Sequence, residues 1–258
     1  MRFVDLSSPI DAGGWEPEPV SHTVLSPADG AKHMSAEMRE HFGIEFDPAV
    51  LPYGELLSID TLTLTSHTGT HVDAPAHYGT VTEYGPPPTI DQLPLEWFYG
   101  PGVVLDLSGL PPGSAGGPAE LRAALARAGH TLQAGDIVLL HTGASRLVGT
   151  PAYFSDFVGL DGHAVDLLLD AGVRVVGTDA FSLDAPFTAM LRNYQSCGDP
   201  AVLWPAHFAG RRRPYCQIER LANLDALPSP TGFIVTCFPV KIAGGGAGWT
   251  RAVALVND

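Results

Sequence analysis

No regular secondary structure accommodates Ser66-His67-Thr68-Gly69-Thr70-His71-Val72-Asp73-Ala74-Pro75-Ala76-His77. In a helix His67 and His71 would share a face, but Asp73 would lie about 200° round the axis at 3.6 residues per turn, and Pro75 would break the continuation. In a straight strand His67 and His71 would stand roughly 13 Å apart, at about 3.3 Å per residue. The backbone must therefore bend. Gly69 is the residue able to take a left-handed conformation at the bend, and Pro75 stiffens the exit. Residues 61–65 alternate apolar and polar side chains, the period of a half-buried strand that delivers His67 at its end.

This segment sets three imidazoles (His67, His71, His77) and one carboxylate (Asp73) within eleven positions. Neutral imidazole nitrogens and an ionised carboxylate are ligands for zinc, manganese or ferrous iron, and no thiolate lies nearby. A lone histidine is more often a core or surface residue than a ligand. Three of them with Asp73 around a glycine bend point to a metal site.

The pattern His-x-Gly-Thr-His-x-Asp-x-Pro-x-His, filled by His67, Gly69, Thr70, His71, Asp73, Pro75 and His77, resembles the signature of the cyclase family, which includes metal-dependent kynurenine formamidases and isatin hydrolases. The match is complete at each fixed position. A second segment, running from His207 to Glu219 twelve residues later and on through residues 221–227, resembles the distal site element of that family. The resemblance implies that Glu219 is a metal ligand and that His207 is the acid/base histidine or a ligand to a second ion. It also implies an α/β domain with a mixed sheet in a swivelling β/β/α arrangement, and a homodimer or homotetramer.

A chain of 258 residues with 45% hydrophobic residues suits one sizeable core, and we expect residues 1–258 to form a single domain. The formal charge of -14 argues against nucleic acid or an anionic membrane as partner, since either requires a basic footprint. Arg211, Arg212 and Arg213 are the one basic cluster. We read them as a solvated loop, the alternative being a clamp for an anionic group of the substrate. Cys197, Cys216 and Cys237 are odd in number and lack Cys-x-x-Cys spacing, so neither a disulfide framework nor a thiolate zinc site is expected. Residues 1–9 have no apolar core of a signal peptide and the longest apolar runs are strand-sized, so a cytoplasmic location is expected.

Residues 2–6 read as a short first strand. Ser35 is expected to cap a helix over 36–42, with Gly43 past its end. Residues 20–56 look like an enlargement relative to smaller formamidases, with Phe42, Phe46 and Tyr53 read as core cover rather than pocket lining. Residues 78–88 are too rich in Gly and Pro for regular structure. A strand at 102–107, a helix over 118–128, a strand at 136–141, a helix opening at Asp161 and a strand at 173–176 predict crossover connections and a partly parallel sheet. Residues 177–182 then leave a strand at its carboxyl end, where Asp179 is read as a turn former, with support of the metal site as alternative. Strands at 233–242 and 251–256 are expected to pair through a connection at Gly244, Gly245 and Gly246. His22, His33, His41, His130, His141 and His163 are read as structural or surface groups, with an approach of His141 to the pocket from its strand end as the alternative.

Together these expectations describe a divalent ion, zinc or manganese, held by His67, His71, Asp73 and Glu219, with His77 available for a second ion. A water in the remaining position would have its pKa lowered toward about 7 and attack an amide carbonyl as hydroxide. His207 would then protonate the departing nitrogen. The expected activity is hydrolysis of an N-formyl or cyclic amide bond in a small aromatic substrate. A cyclase or dehydratase acting on a carbonyl compound is the alternative within the family, and a non-catalytic metal-stabilised binding protein is the alternative outside it.

Overall fold

The computed structural model describes residues 1–257. Contacts divide the chain into two compact units, Met1–Pro17 with Ser66–Asp258, and Glu18–Thr65. The strands in chain order are β1 (Arg2–Asp5), β2 (Ser21–Leu25), β3 (Ile59–Thr63), β4 (His71–Asp73), β5 (Tyr99–Asp106), β6 (Ala115–Gly116), β7 (Ile137–His141), β8 (Gly159–Leu160), β9 (Val175–Thr178), β10 (Cys216–Glu219), β11 (Phe233–Thr236), β12 (Ala247–Trp249) and β13 (Val253–Val256). The helices are α1 (Pro27–Phe42), α2 (Pro118–Ala128), α3 (Gly162–Asp170), α4 (Phe187–Cys197) and α5 (Pro205–Arg212).

Among the described residues, nine strands form one mixed sheet in the order β1-β13-β11-β5-β7-β9-β10-β4-β12. The run β5-β7-β9-β10 is parallel and every other neighbour is antiparallel. The α/β architecture expected above is present. Its parallel half is larger by one strand than the repeat at residues 102–176 indicated. A third crossover, through α4 and α5, delivers β10. Those two helices escape sequence reading because only Met190 of α4 is buried and prolines interrupt residues 186–205.

The central strands are apolar on both faces because both faces are covered. Val103, Leu105, Val138, Leu140 and Val176 pack toward Leu121, Ala124, Val165, Leu168, Ala206 and Ala209 of α2, α3 and α5. Ile137, Leu139, Val175 and Ile218 join Val4, Phe98, Val235 and Ala254 in a second core. The residues 118–128 helix is capped as expected, with Gly129 at φ 62 closing α2. Asp161 caps α3, its carboxylate accepting from the Ala164 N–H at 2.7 Å.

Four expectations need correction. The first helix starts nine residues before its predicted start at residue 36. Ser26, not Ser35, accepts from the Asp29 N–H, with Pro27 at the first helical position, while the Ser35 hydroxyl donates to the Phe46 carbonyl. The strand expected at 61–65 is β3, which pairs with β2 in a two-stranded ribbon and is exposed along its whole length. Its alternation is therefore not half-burial. Phe42 and Tyr53 are exposed and Phe46 half-buried, so they do not cover a core.

At the carboxyl end β11 and β13 do pair, but the three glycines do not join them as a hairpin. β12 intervenes and lies against β4. The Gly245 and Gly246 carbonyls accept from the N–H groups of Ile90 and Ala74, each at 2.8 Å, so this loop braces the chain next to the histidine-rich segment. No described helix is long and apolar enough to cross a membrane.

Candidate metal centre

The bend predicted at Gly69 is present at φ 69. A Cβ there would lie 2.9 Å from Ile10 Cγ1, so conformation and space both demand glycine. Gly69→Ala should destabilise the protein by about 2 kcal/mol, read as a lowered denaturation midpoint in urea. An unchanged midpoint would show that the bend is not held as described. The loop is pinned from two sides. Thr70 Oγ1 accepts from the Ser8 N–H at 2.8 Å and donates to the Arg220 carbonyl at 2.6 Å.

After the bend, β4 lasts only three residues but lies between two partners. His71 is directly opposite Glu219 of β10 and Trp249 of β12, and Asp73 is opposite Gln217 and Ala247. Side chains two apart on a strand share a face, and directly paired residues share it too. Strand register alone therefore gathers His71, Asp73 and Glu219. His71 Nε2 lies 3.4 Å from Asp73 Oδ1 and 3.7 Å from Glu219 Oε2. Glu219 is the last residue of β10, and its Oε1 accepts from the Leu183 N–H at 2.8 Å.

The other predicted residues close round this trio. His67 Nδ1 lies 3.0 Å from Asp73 Oδ1. The ring of His77, on the turn after Pro75, lies 4.3 Å from that of His67 and 5.4 Å from that of His207, centroid to centroid. His207 Nε2 is 4.0 Å from both Asp73 Oδ2 and Glu219 Oε1. All six residues named from the sequence meet in one place.

Two ligand sets are formed, each with donor atoms within 4.8 Å of one another: His67, Asp73 and His77, and His71, Asp73 and Glu219. Asp73 belongs to both. Its two oxygens are sealed from solvent, and among the described residues neither accepts a hydrogen bond of acceptable geometry. A buried carboxylate that accepts no well-formed hydrogen bond and has only imidazoles beside it is costly, so its surroundings call for a cation. The imidazole of His71 makes the same demand. Its Nδ1 faces the Gly69 carbonyl at 2.9 Å and must donate to it, which leaves Nε2 turned toward two carboxylates. Either a proton or a metal ion must stand between these acceptors. The donor set of imidazoles and carboxylates fits a divalent ion.

Without an ion the protons compensate. Burial disfavours the charged imidazole of His71, but Asp73 and Glu219 raise its pKa above the ordinary value. Burial opposes ionisation of Asp73 as well, yet the adjacent His71 and His67 rings hold its carboxyl well below the usual range. Glu219 moves the other way, raised by burial and then by the charge of Asp73.

Asp184 is a site residue that sequence reading missed. It is fully buried, and its carboxylate receives His207 Nδ1 at 2.5 Å together with the N–H groups of Ala206 and His207 at the start of α5. One carboxylate thus caps a helix and orients the imidazole it carries. Burial works against a charge on His207, but the bond to Asp184 and the fields of Asp184, Glu219 and Asp73 raise its pKa to about 9. The available signal was position: Asp184 follows within a few residues of the carboxyl end of β9, where sites gather in parallel sheets.

Residues 4–185 match the family described as "Putative cyclase". The chain belongs to this cyclase family. It is 31% identical to the kynurenine formamidase of Salinibacter ruber over 201 residues, covering 76% of this chain and 79% of that protein. Against the isatin hydrolase of Roseibium aggregatum it is 29% identical over 215 residues, covering 79% and 76%. The crystal structure of an isatin hydrolase bound to the product analogue thioisatinate superposes with a TM-score of 0.73 at 23% identity, covering 99% of this chain and 92% of that one. The fold of the chain is that of the cyclase family.

Above the ligand cluster this cyclase-family chain has a cavity of about 430 Å3. His67, His77, His207 and Glu219 line it together with Phe181, Phe187, Trp204 and Phe208. None of these aromatic side chains was singled out from the sequence. The arginine cluster divides. Arg212 and Arg213 pair with Asp166 and Asp170 of α3, whereas Arg211 lines the cavity.

Asp179 has the turn-forming role. Its carboxylate accepts from the N–H and hydroxyl of Thr142 and from the Gly143 N–H, tying the chain after β7 to the end of β9. His22, His33, His41, His130 and His141 each face a nearby carboxylate outside the His67–Asp73–Glu219 cluster, and His163 lines a different cavity.

Proposed function

We propose that the chain is a metal-dependent hydrolase that cleaves an N-formyl or cyclic amide bond in a small aromatic substrate. The observation that carries this reading is the buried Asp73 carboxylate, without hydrogen-bond partners, ringed by four histidines and Glu219 on the floor of an aromatic-walled cavity. The names and coverage of the formamidase and isatin hydrolase relatives support it.

His67, His71, His77, Asp73 and Glu219 would hold one divalent ion or two sharing Asp73. Such an ion supplies Lewis acidity toward a carbonyl oxygen and lowers the pKa of water toward about 7. The chain's own groups do the rest. Phe181, Phe187, Trp204 and Phe208 stack a planar ring and exclude water around the scissile bond. Hydrolysis adds water across that bond: the carbon gains oxygen, the C–N bond breaks, and nitrogen must leave with a proton. His207 is placed to give that proton from Nε2, because Asp184 holds Nδ1 and a pKa near 9 keeps the ring protonated at neutral pH before an ion binds.

Purified protein loaded with zinc or manganese should hydrolyse aryl formamides or cyclic aryl amides such as isatin, and lose that activity on chelation. Stoichiometric metal with no turnover of either amide class would overturn the hydrolase reading in favour of chemistry on a carbonyl compound. Metal that alters stability while His207→Ala changes no activity would favour a binding protein.

Under this reading the enzyme works in a reducing cytoplasm, which its three free thiols support. It also works as an assembly of two or four copies. The exposed Val50, Phe42 and Leu57 of the 18–65 unit, at 72%, 68% and 63%, support this second point. Light scattering should give a mass of at least twice 27.2 kDa, and a monomer at micromolar concentration would refute it.

A further inference from the structure

We propose that Arg211 is the carboxylate-recognising residue of the metal cavity, so that the preferred substrate is an aromatic amide carrying a carboxylate. The substrate class rests on the amide-hydrolase reading above; the anion site does not.

Arg211 sits at the carboxyl end of α5 in the wall of the same cavity as His67, His77 and His207. Its guanidinium is built in from three sides. Nε donates to the Tyr78 carbonyl, and the guanidinium carbon lies 3.9 Å over the Phe208 ring centroid. Gly79 closes the third side. A Cβ at that position would meet Arg211 Nε at 2.9 Å and Cζ and Nη2 at 3.0 Å, so residue 79 leaves room for this side chain by having none. The backbone is anchored as well, the Arg211 carbonyl accepting from the Glu83 N–H at 2.8 Å.

A guanidinium held this firmly has lost its rotamer freedom before any ligand arrives, and for arginine that loss is a main cost of binding. Yet among the described residues no carboxylate lies within ion-pair distance of it. Its neighbours differ: Arg212, Arg213 and Arg220 are paired with Asp166, Asp170 and Glu16. With Nε committed to Tyr78, the two terminal nitrogens remain as the fork that meets a carboxylate with two parallel hydrogen bonds. The charge is conspicuous in a protein of formal charge -14. Beyond about 8–10 Å salt screens the surface acids, so inside the cavity the nearby cation governs. In the cavity, aromatic walls take a ring, the metal ligands lie at the floor, and the guanidinium in the wall takes an anion.

Two measurements on the zinc-loaded protein test this. In calorimetric titration 2-aminobenzoate should bind about 10- to 100-fold more tightly than aniline, and Arg211→Met should remove the difference. Arg211→Lys keeps the charge but not the fork and should restore part of it. Gly79→Ala, which displaces the guanidinium without touching its charge, should weaken 2-aminobenzoate in the same direction. In turnover, the ratio of kcat/KM for 2-formamidobenzoate over formanilide should exceed about 10 and fall to about 1 in Arg211→Met, through KM. Tight 2-aminobenzoate binding that survives Arg211→Met would place the carboxylate on the metal and overturn the proposal, as would equal use of the two formamides by the parent protein. If 2-formamidobenzoate binds in an Arg211-dependent way and is not hydrolysed, the carboxylate site stands and the hydrolase reading fails.

Discussion

Asp184→Asn should lower turnover by about 10²- to 10⁴-fold, the range that positioned proton transfer contributes. Asp184 never faces the ligand cluster directly; it acts through His207, whose Nδ1 it receives at 2.5 Å. An asparagine keeps a single acceptor oxygen, enough for the Ala206 N–H on one side of the group but not also for the His207 N–H and ring on the other; it cannot stabilise an imidazolium, and it can present an N–H where the ring needs an acceptor. The accompanying readout is a titration. In metal-free protein the His207 resonance should move with a pKa of about 9, falling toward 6.5 in the variant. Stability of the metal-free protein follows the same group. Its folded pKa lies above its unfolded value, so the contribution is fully present below pH 6.5 and is lost as pH rises toward 9. Its size for this buried ring is on the order of 3 kcal/mol. If turnover falls and metal content falls with it, His207 is a ligand to a second ion. If neither moves, the proton-transfer role is wrong.

Asp73→Asn should have the second large effect, because Asp73 is common to both ligand sets. Activity should fall by at least about 10³-fold, equivalent to the several kcal/mol that Lewis-acid stabilisation supplies. Binding itself gives an independent measure. At an ion concentration about 100 times Kd the parent protein gains about 3 kcal/mol of stability from mass action. The variant should gain none, since an amide oxygen cannot replace a shared carboxylate between imidazole and Glu219. Elemental analysis showing a full complement of tightly held metal in Asp73→Asn would remove Asp73 from the centre of the site.

The ligand loop was legible because its information is local. Gly69 at φ 69, Pro75 and the spacing of His67, His71, Asp73 and His77 express backbone preferences that hold before any tertiary contact forms. Local signals also placed α2 and α3 and the strands between them. The same reasoning went astray where two local signals competed. Ser35 with Gly43 reads as a short helix by itself, whereas the helix is capped upstream at Ser26, with Pro27 at its first position and Asp29 in its first turn. In β3 the alternation of apolar and polar residues reflects a two-stranded ribbon exposed on both sides, a circumstance that periodicity alone cannot distinguish from a sheet edge.

His207 and Glu219 were reached through resemblance to a family, not through spacing, and the structure shows why spacing was silent. Glu219 meets His71 because β10 and β4 pair antiparallel in one register; a slip of one residue would turn Glu219 to the opposite face. Asp184 and the aromatic wall carry no motif at all, and the run Arg211, Arg212 and Arg213 does not say which member lines the cavity, since these placements are made only after α4 and α5 have crossed the sheet.

By itself, then, the order of residues determined which chemistry was available: a bent segment rich in imidazole, one carboxylate that must face it, and alternating helices and strands to build upon. Folding decided which distant groups complete that chemistry, which of three adjacent arginines turns into the cavity, and which histidine is oriented by a buried acid. The division has a physical cause. Dihedral preferences act over a few residues, whereas strand register and helix crossing depend on burying both faces of the sheet at once, a condition met only by the whole chain.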